Sequence, residues 1–227
     1  LAAVGSSYQI NVLIIAISIG ISLGTSILVS QCFGAKNIEK LKNAVNTGFI
    51  FSLILSFIIT IFGFILSNRI LILINVPENL LLNSNIYLKI IFIGVIPTFA
   101  YNSLTNILKG IGDSKTPTYI LIVTVILNII LDILFIAIMD YGISGAAIAT
   151  VISQFISFIL CFFYVKLKYS NLIFSKFHFS IDFNILKEIL TIGMSAMLQQ
   201  VLISIGFIVI QILVNSFGTD CIAAFIS

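Results

Sequence analysis

Long apolar stretches follow one another along the chain, and short polar segments separate them. Each stretch reaches about 20 residues or more, the length that an α-helix needs to cross the roughly 30 Å hydrocarbon core of a bilayer. The alternation typical of a membrane β-barrel is absent, and open strands cannot cross lipid because their backbone groups would stay unpaired. Six stretches qualify: 8–31, 43–66, 85–108, 117–139, 143–166 and 188–216. The pattern predicts an all-α membrane protein with six transmembrane helices.

The composition excludes other classes of protein. Of the 227 residues, 60% are hydrophobic and 8% are charged, whereas a soluble domain carries roughly 45–50% apolar and about 25% charged residues. The net charge of +3 is too small for a nucleic-acid-binding surface, which needs a dense basic face. We therefore expect the lipid bilayer as a partner and no nucleic acid.

Basic residues are distributed unevenly between the two sides of the predicted bundle. One side carries Lys36, Lys40, Lys42, Lys109, Lys115, Lys166, Lys168, Lys176 and Lys187. The other side carries Arg69 and Lys89. Because cytoplasmic loops are enriched in Lys and Arg, the first side is predicted to face the cytoplasm. With six crossings of the cell membrane, both ends of this chain are then expected to be extracellular.

Polar residues inside the apolar stretches are candidates for function, because they are costly in hydrocarbon. In the fourth stretch, Thr124, Asn128 and Asp132 recur every four residues and so share one helix face. In the fifth, Thr150 lies at about the same depth as Asp132, and the short turn at 140–142 makes the two helices antiparallel neighbours. Asn128, Asp132 and Thr150 are predicted to bind a proton or a hard monovalent cation. The alternative is a protonated Asp132 in an interhelical hydrogen bond.

Further polar residues lie on other helix faces. Gln154 follows Thr150 by four residues, Asn102 lies on the third predicted helix, and Gln200 and Gln211 lie on the sixth. Each face alone is as compatible with interhelical hydrogen bonding as with a cavity wall. Taken together, they favour a hydrated central cavity that holds a substrate.

Three segments stand out by their order and spacing. They are GTSILVSQCFGAKN at 24–37, KGIGDSKTPTYI at 109–120, and an N-x3-D pattern followed by GISGAAIATVIS over 128–153. Together they resemble the multidrug and toxic compound extrusion (MATE) family, with 109–153 as the most specific part. The resemblance covers nearly the whole chain. It implies a transporter of twelve helices in two lobes, in which this chain supplies most of one lobe and the first helix of the next.

The resemblance implies an organisation and a chemistry. Residues 1–166 would form helices of the first lobe without the family's first helix, 167–187 the cytoplasmic linker, and 188–227 the first helix of the second lobe, so that the remainder of the polypeptide is needed for transport. Members exchange Na⁺ or H⁺ for organic, often cationic amphipathic compounds. In one branch, an Asn and an Asp of the fifth helix and a Thr of the sixth hold the cation, and these match Asn128, Asp132 and Thr150.

The same resemblance implies that the protein is not an enzyme and needs no cofactor or metal beyond the coupling ion. One departure from the family is Ser195, which stands where a Pro is usual near the start of the seventh helix. Two alternatives stay open. Flippases of lipid-linked saccharides share this architecture, and GIGD at 110–113 also spells a motif of intramembrane aspartyl proteases. That chemistry needs two adjacent carboxylates, and Asp113 is better explained by a bond to the backbone of the turn before the next helix.

Overall fold

Six long helices make up the fold. The computed structural model describes residues 2–170 and 181–217; the middle of the predicted linker and the predicted residues after 217 lie outside them. The helices are α1 (Ala2–Gly34), α2 (Ile38–Leu73), α3 (Glu78–Gly110), α4 (Lys115–Asp132), α5 (Gly142–Lys168) and α6 (Phe183–Ser216). All six are long and apolar enough to cross a membrane, α4 together with the segment that extends it. The predicted all-α fold with six spanning helices is confirmed for the described residues.

Short polar turns separate the helices. Lys36 precedes α2 with a φ of 56°, and the Asn37 side chain accepts the backbone N–H of Lys40 at 3.0 Å. The Asp182 side chain does the same at the start of α6, where it accepts the N–H groups of Asn184 and Ile185. Such side-chain caps satisfy N–H groups that have no partner within the helix. The lysine-bearing turns lie at one end of the bundle, which we call the lysine-rich end.

The third helix lies at the centre of the bundle. It packs against α1, α2 and α5, whereas α4 packs on α5 and touches α3 only slightly, and α6 packs on α1 and α2. Two apolar clusters form the core. One lies toward the lysine-rich end and includes Val29, Leu41, Leu108 and Val165, and the other lies toward the opposite end around Phe99. A further small cluster is formed by Tyr87, Ile91 and Ala147. Many other large apolar side chains are exposed, as a lipid-facing surface would be.

Helices α1 and α6 approach each other closely because glycines lie at their crossing. A methyl group at Gly24 would overlap the Ile189 carbonyl oxygen, and one at Gly193 would lie 2.6 Å from the Gly20 carbonyl oxygen. Small residues allow such backbone contact between membrane helices. Near the lysine-rich end, Lys40 of α2 and Glu188 of α6 form an ion pair with a nitrogen–oxygen distance of 2.8 Å.

The fourth predicted span differs from the expected continuous α-helix. After Asp132 the backbone changes to a π-helix over Ile133–Ile138, and the chain then turns through Asp140 and Gly142, both with a φ of 54°. A π-helix accommodates an additional residue in a turn, and the apolar composition of 117–139 gives no signal for it. The predicted antiparallel pairing of this helix with α5 is as expected, since the two contact each other.

Candidate cation site

The three polar residues of the predicted face of the fourth helix are in two different states. Thr124 is buried, and its hydroxyl donates to the Ile120 carbonyl at 3.0 Å. Asn128 and Asp132 follow at one-turn intervals and are half-buried. Asn128 Nδ2 and Asp132 Oδ1 are each fully shielded from solvent and have no hydrogen-bond partner within the described residues. An unpaired donor and an unpaired carboxylate oxygen on one helix face are costly unless a ligand satisfies them.

A cavity of about 100 Å³ lies between α3, α4 and α5. Its polar wall is formed by Tyr101, Thr124, Asn128, Thr150, Ser153, Gln154 and Ser157. Thr150 donates its hydroxyl proton to the Ala146 carbonyl at 3.0 Å, so that its oxygen lone pairs stay available to another group. The structure thus brings Asn128 and Thr150 to one cavity. Asp132 is not among the residues that line it and lies one helical turn farther from the lysine-rich end.

A second, smaller cavity of about 30 Å³ lies between α1, α3 and α5. Thr150 and Gln154 line it as well, together with Asn11 and Thr98. The same two side chains of α5 therefore form part of the wall of both cavities. A volume of this size is sufficient for about one water molecule where several polar groups converge.

Tyr87 of α3 is a further candidate that the sequence reasoning missed. Its side chain is 7% exposed and packs with Ile91 and Ala147 near the start of α5. The Asp132 carboxylate lies close enough to act electrostatically on the Tyr87 phenol. A single tyrosine in an apolar stretch carries no sequence signal for this neighbour, because the contact depends on how α3 and α4 are arranged.

The remaining predicted cavity residues are engaged in other contacts or lie elsewhere. Asn102 donates to the Ser18 hydroxyl at 3.1 Å. Gln211 is buried and donates to the Asn215 side chain at 2.8 Å, and Asn215 in turn donates to the Ile74 carbonyl. Gln200 is half-buried on α6, away from Asn128 and Thr150. The structure assembles Gln154 with the candidate cation site and places the other three in the bundle as interhelical or helix-surface groups.

Asp113 lies in the turn between α3 and α4 at the lysine-rich end. One of its carboxylate oxygens accepts the backbone N–H of Thr116 at 3.2 Å, as predicted for a turn residue. Aspartyl protease chemistry would require a second carboxylate beside it. The donors around Asp113 in the structure come instead from Tyr164, Lys168 and Tyr169.

Six described helices that are long and apolar enough to span a bilayer, with polar groups buried between them, define an integral membrane protein. The MatE family model matches residues 1–134, and the chain belongs to this family, as its motifs indicate. It is 36% identical over 231 residues to the probable multidrug resistance protein YoeA of Bacillus subtilis, a match that covers 99% of this chain and 50% of that protein. It is 25% identical to the multidrug export protein MepA of Staphylococcus saprophyticus, over 97% of this chain and 50% of that protein.

Solved structures agree with this assignment. The inward-facing conformation of a multidrug resistance MATE family transporter of the MOP superfamily superposes with a TM-score of 0.93 and 27% identity, over 99% of this chain and 52% of that one. A MOP superfamily transporter from Pyrococcus furiosus, described as having a binding pocket of reverse polarity, gives a TM-score of 0.82 and 28% identity over 91% of this chain and 46% of that one. The chain spans about half the length of the relatives that it matches. The family is one of transporters and not of enzymes, which leaves the protease alternative without support.

Proposed function

We propose that this chain is part of a secondary antiporter that exports organic, cationic amphipathic compounds in exchange for Na⁺ or H⁺. The names of the relatives support the export of drugs, since they are described as multidrug resistance and multidrug export proteins. The other half of the transporter would come from the remainder of the same polypeptide. The lysine-rich end would face the cytoplasm, following the distribution of basic residues.

The coupling ion would bind at Asp132, Asn128 and Thr150. The observation that carries this proposal is the shielded, unpaired carboxylate oxygen Asp132 Oδ1, one helical turn from Asn128 on the same face of α4. A proton on Asp132, or a monovalent cation held by its carboxylate, would neutralise the charge that is costly at this depth. The hydroxyl of Thr150 and the side-chain oxygen of Asn128 are hard oxygen donors, which suit Na⁺.

Coupling follows from differential binding. An ion gradient drives export only if the ion binds more tightly in one access state than in the other. Asp132 lies on α4, whose neighbour α5 contributes Thr150 and Gln154 to the cavity between them. Occupation of Asp132 would change the charge next to that cavity, and thereby the relative free energies of the two access states.

The organic substrate would occupy a polar cavity wall to which Gln154, Asn102, Gln200 and Gln211 were assigned from sequence. Gln154 has the strongest support, because it lines both cavities described above. Asn102 and Gln211 would contribute only if their present hydrogen bonds were exchanged in another conformation. A wall with few directed polar contacts is compatible with broad selectivity.

The experiment uses the complete parent protein in lipid vesicles. Efflux of a fluorescent cationic dye is followed under separate Na⁺ and H⁺ gradients, for the wild type and Asp132→Asn. The matched control is Asp140→Asn, an exposed acid in the turn that follows the same helix, at a positive φ that Asn tolerates. We expect one gradient to drive efflux, Asp132→Asn to lose it, and the control to keep it. Equal gradient-driven efflux in both variants would contradict the assignment of Asp132, and no efflux in the wild type would contradict drug export.

A further inference from the structure

Helix α4, which carries Asn128 and Asp132, is weakly held by apolar packing. Its buried residues are Pro117, Ile120 and Thr124, and its other large side chains face outward, with Ile122 and Ile126 exposed by 51% and 53%. It packs mainly against α5 and contacts α3 only slightly. Exposed apolar side chains contact lipid about as well as they would contact protein, so they do not fix the rotation of a membrane helix.

The end of the α4 segment farthest from the lysine-rich end is anchored by the turn into α5. The Phe135 and Tyr141 rings stack with their centroids 6.1 Å apart, and the Tyr141 N–H donates to the Phe135 carbonyl at 2.9 Å. Gly145 lies directly against the Phe135 backbone. This anchor holds the π-helix Ile133–Ile138 through Phe135, so it does not by itself fix the α-helical part of α4 that precedes the π-helix.

At the lysine-rich end, Asp113 connects the start of α4 to the end of α5. Its Oδ2 atom accepts hydrogen bonds from the Tyr164 hydroxyl at 2.7 Å and the Tyr169 hydroxyl at 3.1 Å, and Lys168 Nζ lies 3.4 Å away. The Asp113 side chain is 11% exposed. We call Asp113 with these three residues the Asp113 cluster. The other carboxylate oxygen of Asp113, Oδ1, accepts the Thr116 N–H within the local turn. The two oxygens of Asp113 therefore have separate roles.

Lys168 completes the charge balance of the Asp113 cluster. Its ammonium lies 5.2 Å from the Tyr164 ring centroid and 5.3 Å from that of Tyr169, within the range of a cation–π interaction. Burial opposes ionisation of Asp113, but hydrogen bonds from Tyr164, Thr116 and Tyr169 outweigh it and hold the pKa of this carboxyl well below its usual range. The cluster is therefore a charged, fully satisfied connection rather than an incidental surface contact.

We propose that Asp113 is a positioning residue that fixes α4 against α5, so that Asn128 stays opposite Thr150, with Asp132 one helical turn beyond it. The expected effect on ion binding rests on the proposed function. The positioning of α4 against α5 does not depend on it. A turn residue with a purely local role would need only the bond to Thr116. The second oxygen reaches residues 51 and 56 positions farther along the chain, and these lie at the end of the helix that carries Thr150.

The test removes the two cross-helix hydrogen bonds that the tyrosines donate, and it keeps the local bond to Thr116 and the ion pair with Lys168. In the double variant Tyr164→Phe/Tyr169→Phe, Asp113 still accepts from Thr116 and both rings remain for Lys168. The matched control is Tyr119→Phe, an exposed tyrosine on α4. Spin labels at Ile126 of α4 and Phe155 of α5, both more than half exposed, report the distance between the helices in the full-length protein without its native cysteines.

We expect the double variant to broaden the distance distribution and the control to leave it narrow. The half-saturating concentration of the coupling ion should rise roughly three- to tenfold, on the scale of hydrogen bonds between membrane helices, while the efflux rate at saturating ion is kept. Lys168→Gln should broaden the distance distribution less than the double variant does. Lys166→Gln, at an exposed position nearby, should leave it unchanged. These two variants provide the test if the double variant does not fold.

An unchanged distance distribution in both Tyr164→Phe/Tyr169→Phe and Lys168→Gln would overturn the positioning role, whatever the transport result. A broadened distribution with an unchanged ion response would also overturn it, because the cluster would then not act on the ion site. A wild type that responds to neither ion contradicts the proposed function instead, and the spin-label distances still decide whether Asp113 holds the two helices together.

Discussion

Helices α3 and α4 both carry polar residues at spacings of four, yet they use them differently. In α3, Asn102 donates to Ser18 of α1 and Asn106 donates to the Asn102 carbonyl, and the helix is surrounded by α1, α2 and α5. In α4, Asn128 Nδ2 and Asp132 Oδ1 are shielded and unpaired, although most of the helix faces outward. The two asparagine side chains of the better packed helix have hydrogen-bond partners, although the Ser103 hydroxyl of α3 is buried without one. On the less packed helix, Asn128 and Asp132 each keep a shielded, unpaired atom.

This difference separates packing from function. Polar side chains that find protein partners contribute to the association of membrane helices. Polar side chains that are shielded without a partner raise the free energy of the folded state, and they are understandable where a ligand completes their bonds. The periodicity of the two polar faces is the same in the sequence, so only the partners around them distinguish a structural face from a binding face.

The largest expected effect is the difference in stability lost when a core side chain of α3 and an exposed side chain of α4 are truncated. Phe99 of α3 is fully buried, whereas Ile126 of α4 is 53% exposed. Phe99→Ala should destabilise the protein by about 3–5 kcal/mol, since it leaves a cavity in the core, and Ile126→Ala should change the free energy of unfolding by less than about 0.5 kcal/mol. Reversible unfolding of the full-length protein in mixed micelles measures both. Similar losses for the two variants would show that α4 is packed as tightly as α3.

A smaller effect separates the two asparagines. Asn102→Ala removes the hydrogen bond to Ser18 and should cost about 0.6–1.7 kcal/mol of stability, with the ion dependence of efflux unchanged. Asn128→Ala should leave stability nearly unchanged and raise the half-saturating ion concentration. A double-mutant cycle with Ser18→Ala verifies that the loss at Asn102 comes from this bond. An altered ion response in Asn102→Ala, with a normal one in Asn128→Ala, would reverse the roles assigned to the two helices.

Much of the fold could be predicted from the sequence, because crossing a bilayer requires long apolar runs. The fourth apolar stretch, 117–139, is an exception. Its composition is uniformly apolar, whereas the change to a π-helix at Ile133 depends on backbone hydrogen bonds that the residue types do not reveal. The observed helices are also longer than the predicted spans. For example, α2 covers Ile38–Leu73 against a predicted 43–66, since apolar runs indicate the lipid-facing part and not the polar ends.

The candidate site was predictable where it depends on local spacing. Depth along two antiparallel neighbours places Thr150 level with Asp132, whereas in the structure it is Asn128, one turn away, that lines a cavity with Thr150. The position of Tyr87 near Asp132 and the bonds from Tyr164 and Tyr169 to Asp113 depend on tertiary packing. Single-sequence periodicity carries no information about such partners.

The smallest expected effect is that of pH on the distance between α4 and α5, which should be nearly absent. Hydrogen bonds lower the pKa of Asp113 in the folded protein relative to the ordinary value of about 3.9. Its contribution to stability is therefore fully present above that ordinary value and is lost only as the pH falls through the lower, folded-state pKa. From about pH 8 to pH 5, where Asp carboxyls of ordinary pKa are also ionised, the α4–α5 spin-label distances should stay constant.

Constant distances over that range would also sharpen the interpretation of transport. Tyr164, Lys168 and Tyr169 contact Asp113, and Cys161 lies near it. Tyrosine, lysine and cysteine side chains ordinarily titrate at about pH 8.5 or above, outside this range. A pH dependence of efflux between about pH 5 and 8 would then have to arise away from the Asp113 cluster, with Asp132 as the carboxyl to examine by substitution. Broadening of the distances on acidification to about pH 5 would instead mean that the α4–α5 connection responds to protons directly, and that the weakly packed helix is not held in place by a permanently ionised Asp113.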